Sequence, residues 1–153
     1  MAVLLVLVTA CASAPQPGYV RVIDVIDGDS LRIRGDQGRN AEVRLHGIDA
    51  PEWGQPHNRA ATRALSAMVS GEDVRLRVID HDRYNRNVAM VYLSDGTNVN
   101  VQMVEGGHAW WYRRYAASYQ GLEAAQRRAK SEGRGLWAGD DPVPPWNWRR
   151  GKR

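Results

Sequence analysis

The chain has 153 residues, which is the length of one ordinary domain with short tails. Its 21 Lys and Arg residues outnumber 17 Asp and Glu residues, and a net charge of +4 suits a polyanionic partner but is equally common among soluble domains. A single cysteine excludes an intrachain disulfide, and beyond the N-terminus no apolar run is long enough to cross a membrane.

The N-terminal residues have the pattern of an export signal. Residues 1–14 carry no charged side chain, and the apolar run from Ala2 to Val8 has signal-peptide length. The run leads into Val-Thr-Ala-Cys at Cys11, which resembles the bacterial lipobox, where the cysteine is lipidated. One alternative is cleavage after Ala12-Ser13-Ala14, just before Pro15. Because a basic segment is missing, the start codon could also lie upstream, or the stretch could be only an apolar tail. We expect an exported lipoprotein on the periplasmic side of the outer membrane, or otherwise a periplasmic or secreted protein.

Period-two alternation of β-branched and polar residues predicts five strands. These strands are expected at residues 19–26, 30–34, 42–48, 73–79 and 87–93. Asp27-Gly28 supplies a hairpin turn, so the first three strands should form a meander. In the third strand Arg44 alternates with Val43 and Leu45, which predicts that Arg44 projects away from the core.

Three helices are predicted, at 57–69, near 98–105 and at about 117–132. Five strands with a helix between the third and fourth are typical of an OB-type barrel, so the predicted fold class is α+β, mainly β. We divide the chain into a leader and linker (1–18), the folded domain (19–138) and a tail rich in Pro, Trp and Arg (139–153). The tail's tryptophans should pack back onto the domain or lie on its surface.

Charged residues gather in three short segments. Asp29 follows the tight turn, Arg44, Asp49 and Glu52 occupy the end of the third strand and its loop, and Arg86 lies in a turn. Each segment has a plain structural interpretation, because Asp-Gly turns, surface salt bridges and solvated loops are all common. The spacing after Asp29 also fails the EF-hand pattern.

Together these segments meet the requirements of phosphodiester hydrolysis. The reaction needs a cation on a nonbridging oxygen, a base for the attacking water and donors for the developing charge. Asp29 and Asp49 can hold a hard cation, and Glu52 can accept the proton of water. Arg44 and Arg86 can each bind phosphate oxygens with a planar fork.

The motifs D-G-D-S at 27–30, R-L-H-G-I-D-A-P-E at 44–52 and D-R-Y-N-R at 82–86 stand in the order found in staphylococcal nuclease. From about Val20 to Trp137 the chain resembles that family. The resemblance implies calcium bound by Asp29, Asp49 and the carbonyl of Ala50, with Glu52 as general base. It also implies two phosphate-binding catalytic arginines, Arg44 and Arg86.

Two positions depart from the family pattern. Ala50 stands where Thr is frequent, but a carbonyl ligand survives that change. Asn85 replaces the usual Gly, and Asn tolerates the left-handed backbone that such a turn needs. The resemblance further implies substrate contacts at Arg83, Tyr84, Tyr112 and Tyr115, although the aromatic residues of this region could equally belong to the core.

The expected function is a calcium-dependent nuclease acting on DNA, RNA or both with little sequence specificity. By analogy it leaves 3′-phosphate ends, and we expect a monomer. One alternative is a non-catalytic nucleic-acid-binding OB-fold lipoprotein, and another is a membrane-anchored scaffold that uses the basic tail. The histidines, His46, His57, His81 and His108, lack zinc-site spacing and are predicted to be ordinary surface or turn residues.

Overall fold

Five strands form a closed barrel. The computed structural model describes residues 17–35 and 38–151. Its strands are β1 (Val20–Asp27), β2 (Ser30–Arg34), β3 (Asn40–Leu45), β4 (Ile48–Asp49), β5 (Asp73–His81), β6 (Asn87–Tyr92) and β7 (Trp110–Trp111). The barrel order is β1-β2-β3-β6-β5, while β4 and β7 pair with each other outside it. This arrangement confirms the predicted α+β fold with a five-stranded OB-type barrel.

Helices cover the barrel and its ends. The described residues include α1 (Asn58–Val69), α2 (Val99–Glu105), α3 (Arg113–Ala116), α4 (Gln120–Ser131), a 3-10 helix (Gly135–Ala138) and α5 (Pro145–Trp148). Helix α1 buries Ala61, Leu65 and Val69, which recur every four residues and therefore face the core. In the described part of the chain, no helix combines the length and apolarity needed to cross a bilayer.

The register of the strands brings distant segments together. Strands β1, β2 and β3 form the predicted antiparallel meander, in which Ser30 lies opposite Arg44. Strand β3 then pairs with β6 in parallel, and Arg44 lies beside Val88. Because this register sets the end of β3 against the start of β6, the loop before β6 lies close to Arg44.

The third predicted strand is shorter than expected. It ends at Leu45, and the chain turns at His46-Gly47, where Gly47 has φ of 73°. A Cβ atom at Gly47 would lie 2.6 Å from that of Ala116, so only glycine fits this turn. Beyond the turn, β4 leaves the barrel and pairs with Trp110–Trp111.

The last long helix also differs from its prediction. It begins at Gln120 and not near 117, because α3 ends at Ala116 and the chain turns through Ser118 before α4 begins. The α3, α5 and 3-10 segments are each only four residues long, which is too short to give a recognisable helical period.

Candidate active site

Asp29 is fixed at the turn between β1 and β2. Gly28 packs so closely that a Cβ atom there would lie 2.7 Å from the Cβ of Ala61 and 2.8 Å from that of Ala50. The glycine therefore lets the turn press against α1 and the loop after β4. As a result the buried Asp29 accepts a hydrogen bond of 2.8 Å from the Ala50 backbone N–H.

Arg44 connects the two predicted cation ligands. One of its terminal nitrogens donates to Asp29 Oδ1 at 2.7 Å, and the other donates to Asp49 Oδ1 at 3.0 Å. Both carboxylates are buried, and the Arg44 side chain is three-quarters buried. Burial alone would lower the pKa of Arg44, but the charges of the neighbouring aspartates raise it overall. The alternation of β3 that places Val43 and Leu45 in the core thus directs Arg44 to this site, as predicted.

The loop between β4 and α1 holds Glu52. Its backbone N–H donates to Gln55 Oε1 at 2.9 Å, and Asn58 at the start of α1 donates to the carbonyl of Pro51 at 2.6 Å. Gln55 is buried and also donates to the carbonyl of Val143 in the C-terminal tail at 2.6 Å. The Glu52 carboxylate is therefore held on a braced loop, with 37% of its side chain exposed.

The turn between β5 and β6 orients Arg86. Asp82 accepts hydrogen bonds from the backbone N–H of Tyr84 at 2.9 Å and of Arg86 at 3.0 Å, and from Arg86 Nε at 2.7 Å. Burial alone would raise the pKa of Asp82, but these hydrogen bonds lower it overall. Asn85 has φ of 60°, so it adopts the left-handed backbone expected of this position.

These side chains surround one cavity of about 350 Å³. Asp29, Arg44, Glu52 and Arg86 line it, and Asp49 joins it through the hydrogen bond to Arg44. Residues from four separate segments thus meet at one concave surface with both signs of charge. The sequence predicted all five of these positions from spacing and chemistry.

A family model covers the chain from within β3 through the 3-10 helix, so it includes Arg44, Asp49, Glu52 and Arg86 but not β1, β2 or Asp29. Residues 42–139 match the family described as staphylococcal nuclease homologue. The chain belongs to this family.

Family members among curated proteins match over most of the chain. An uncharacterized endonuclease of Escherichia coli is 41% identical over 132 residues, which are 86% of this chain and 85% of that protein. An uncharacterized endonuclease of Haemophilus influenzae is 37% identical, covering 96% of this chain and 82% of that one. The probable staphylococcal-like nuclease CAN1 of Oryza sativa subsp. japonica is 41% identical over 78% of this chain but only 36% of its own length.

The donor set of the family site fits a hard cation. Asp29 and Asp49 supply carboxylate oxygens that contact one shared guanidinium, and Ala50 lies directly beside them. Within residues 17–35 and 38–151, no three His, Cys, Asp or Glu side chains are grouped closely enough to hold a metal on their own. Two carboxylates with a carbonyl and water would suit the flexible oxygen coordination of calcium.

Asp27 is an acidic residue of the cavity that sequence reasoning treated only as part of a turn. Its carboxylate accepts a hydrogen bond from the Asp29 backbone N–H at 3.0 Å and lines the same cavity. Burial, followed by the nearby charge of Asp29, raises the pKa of Asp27 to about 6. Local sequence did not distinguish this residue from an ordinary turn aspartate, because its burial depends on the packing of α1.

Trp53 and Arg149 also belong to the site, although neither was predicted as a site residue from the sequence. Trp53 follows Glu52, lines the cavity and is 91% exposed, which is unusual for so large an apolar side chain. Arg149 reaches the site from the C-terminal tail and contacts both Asp49 and Glu52. A tryptophan directly after the charged motif at 44–52 was a usable sequence signal for Trp53, whereas nothing local to Arg149 marks it.

The predicted substrate-binding residues have different environments. Tyr84 and Tyr115 are well exposed, and Arg83 lies over the Tyr84 ring at 4.8 Å. Tyr112 is half-buried, and its ring stacks on Trp146 with centroids 5.0 Å apart and planes 8° apart. One face of Tyr112 is therefore already covered by a side chain of the tail.

Two histidines form a specific pair, in contrast to the prediction that all four are ordinary surface or turn residues. His57 and His108 stack with centroids 5.5 Å apart, and Nε2 of His57 lies 3.2 Å from Nδ1 of His108. Burial lowers the pKa of both residues, and the charge of His57 lowers that of His108 further. The pairing joins the start of α1 to the loop after α2, positions 51 residues apart in sequence.

Proposed function

We propose that the protein is a calcium-dependent nuclease that hydrolyses phosphodiester bonds of DNA, RNA or both. The observation that carries this proposal is the bridge of Arg44 between buried Asp29 and Asp49, beside a cavity that Glu52 and Arg86 also line. Membership of the staphylococcal nuclease family and the endonuclease names of its bacterial relatives support the reaction class.

The residues divide the chemistry among them. Glu52 is a partly exposed carboxylate on a braced loop and would accept the proton of the attacking water. Arg44 and Arg86 would donate to phosphate oxygens as negative charge develops on them. Calcium on Asp29, Asp49 and the Ala50 carbonyl would supply positive charge to a nonbridging oxygen.

Substrate binding extends beyond the reacting phosphate. We propose that exposed aromatic rings receive bases: Trp53 lines the cavity, and the Tyr84 ring lies 5.6 Å from the guanidinium carbon of Arg86, which also lines it. Stacking on aromatic side chains is tolerant of sequence, which agrees with a nuclease of low sequence specificity. Cleavage that leaves 3′-phosphate ends and a monomeric state are part of the same proposal.

The test separates the cation ligand from the base. Asp49→Asn should weaken calcium binding, so high calcium should partly restore its cleavage of single-stranded DNA, duplex DNA or RNA. Glu52→Gln should lose roughly 100-fold to 10,000-fold in turnover while still binding calcium, because the missing base is not replaced by metal. Rates are measured across a calcium titration, with a chelator as control. Full cleavage in the chelator, or equal rescue of both variants, would contradict the proposal.

The non-catalytic nucleic-acid-binding lipoprotein is the alternative. It requires an OB-type barrel and a basic surface but none of the five charged cavity residues. Binding of single-stranded DNA without any cleavage, across divalent cations, would favour this alternative. The gathering of Asp29, Arg44 and Glu52 around one cavity favours the nuclease.

We also propose export and anchoring through a lipidated Cys11. The supporting observation is the uncharged apolar run that leads into the Val-Thr-Ala-Cys sequence. Cys11 lies outside the described residues, as do all of residues 1–16.

A further inference from the structure

The C-terminal tail reaches the carboxylates of the site through Arg149. Arg149 donates to Asp49 Oδ2 at 2.8 Å and to Asp49 Oδ1 at 3.2 Å, and the same guanidinium contacts Glu52 Oε1. The Asp49 side chain is only 1% exposed, so the carboxylate end of these bonds is shielded from water, while the Arg149 side chain is 41% exposed. Hydrogen bonding to Asp49 raises the pKa of Arg149 further, so its charge is permanent.

A built contact surface carries Arg149 to this position. We call residues 143–149 the C-terminal strap. Trp146 stacks on Tyr112, Pro145 is buried, and the carbonyl of Val143 accepts a hydrogen bond from the buried Gln55. Inside the strap, the backbone N–H of Arg149 donates to the carbonyl of Pro145 at 2.9 Å. The strap is therefore anchored at three points before it reaches the site.

Arg149 and a cation need the same oxygens. Oδ1 of Asp49 already accepts from Arg44, and Arg149 contacts both Oδ1 and Oδ2. A divalent cation on Asp49 would stand within a few ångströms of the Arg149 guanidinium, and like charges at such distances in a buried site repel strongly. Arg44 also bonds Asp29 and lies on a barrel strand, whereas Arg149 lies at the end of the short helix α5, outside the barrel.

We propose that Arg149 is a tethered competitor of the cation, so that calcium binding to Asp49 is coupled to release of the C-terminal strap. The inference rests on the proposed cation site and adds a mechanism that regulates calcium binding there. In the strapped arrangement Arg149 also engages Glu52, so the base and one cation ligand are blocked by the same side chain. Release of the strap frees both carboxylates together.

The test measures calcium binding by isothermal titration calorimetry on the full chain. Arg149→Gln should bind calcium about tenfold or more tightly than the wild type, the scale of losing one competing charge-assisted hydrogen bond. Trp146→Ala should tighten binding in the same direction without changing any charge, because it removes the stack on Tyr112. Arg149→Lys keeps the charge but loses the planar fork of the guanidinium. Its calcium affinity should lie between those of the wild type and Arg149→Gln.

Arg150→Gln is the matched control for charge. Arg150 is exposed, and among the described residues its side chain forms no ion pair, so calcium affinity should be unchanged. Hydrogen exchange followed by mass spectrometry gives a second readout: calcium should speed exchange of the Asn147, Trp148 and Arg149 amides, which are bonded within the strap. Circular dichroism checks that each variant is folded.

The outcomes separate this inference from the proposed function. If Arg149→Gln and Trp146→Ala bind calcium no more tightly than the wild type while the wild type still cleaves nucleic acid, the proposed competition by Arg149 is overturned. The proposed nuclease function is then left standing. Calcium binding that is detected for Arg149→Gln but not for the wild type would support the proposed competition most directly. If neither the wild type nor any variant binds calcium, both the proposed cation site and its competitor are wrong.

Discussion

Arg86 depends on a single carboxylate for its orientation. Asp82 accepts hydrogen bonds from both its backbone N–H and its Nε atom, the guanidinium lies over the Tyr84 ring at 5.6 Å, and the side chain lines the cavity. Lysine would keep the charge but would offer no planar fork. The role assigned to Arg86 is thus a matter of geometry more than of charge.

Arg86→Lys should therefore lower turnover by on the order of 100-fold or more, the scale of removing one transition-state donor. Stability should change little, because Arg86 lies in a turn and not in the core. Steady-state kinetics and thermal unfolding measure the two effects. Arg127→Lys on the exposed face of α4 serves as control and should leave both unchanged. Near-normal turnover of Arg86→Lys would reduce this residue to an electrostatic attractor.

The turn after β3 is held by the buried Asn100 of α2. Asn100 Oδ1 accepts from the Val91 backbone N–H at 2.9 Å, while Nδ2 donates to the carbonyls of His46 at 2.9 Å and Ala89 at 3.1 Å. The amide thus connects the helix to β6 and to the point where the chain leaves the barrel for β4. It indirectly positions Asp49, which lies just beyond that turn.

Asn100→Ala should destabilise the protein by about 3 kcal/mol, because it leaves buried backbone groups without their partner. The free energy of unfolding is measured in urea. Asn40→Ala, at the exposed start of β3, should change it by less than about 0.5 kcal/mol. A loss at Asn100 no larger than that of the control would show that water replaces the amide.

The His57–His108 pair links α1 to the loop after α2 and should make stability depend on pH. Burial lowers the pKa of both from the ordinary 6.5, so the unfolded chain binds protons more readily than the folded one. The contribution of the pair to the free energy of unfolding is complete above about pH 6.5. It is lost as the pH falls towards the lowered pKa values of the folded protein. Protonation of both rings also removes the acceptor that their hydrogen bond needs.

His57→Asn with His108→Gln should flatten the fall of Tm between about pH 7 and pH 5. Asn suits position 57, where φ is 72°. Burial also lowers the pKa of His46, so part of the slope should remain. His81→Gln, at an exposed site, should retain the wild-type slope. An unchanged slope in the double variant would mean that the pair does not control acid stability.

For the whole molecule, the position in the cell is a separate prediction. Cys11→Ser should release the protein from the membrane fraction, since the thiol is the acceptor of the expected acyl chains. Fractionation with detection of the protein measures this, and mass spectrometry of the mature N-terminus identifies the modification. An intact and unmodified segment 1–14 on the mature protein would overturn lipidation. The folded domain should be equally stable in the wild type and in Cys11→Ser.

The sequence was sufficient for the barrel strands, the three long helices and the five charged cavity residues. Period-two alternation, helical spacing and turn residues act over a few positions, and such patterns are visible in the chain itself. Asp29, Arg44 and Glu52 could be predicted as a group because phosphodiester hydrolysis needs these residue types together, and their catalytic roles stay a prediction. The turn at Asn85 could be predicted for the same local reason.

Other features depend on contacts between residues far apart in the chain, which no local pattern encodes. The parallel pairing of β3 with β6 closes the barrel, and the β4–β7 pair ends the third strand early. Arg149 meets Asp49 across 100 positions, and its place follows from the stack of Trp146 on Tyr112. The sequence shows a basic tail, but folding the tail across the cavity makes one of its arginines a partner of the Asp49 and Glu52 carboxylates.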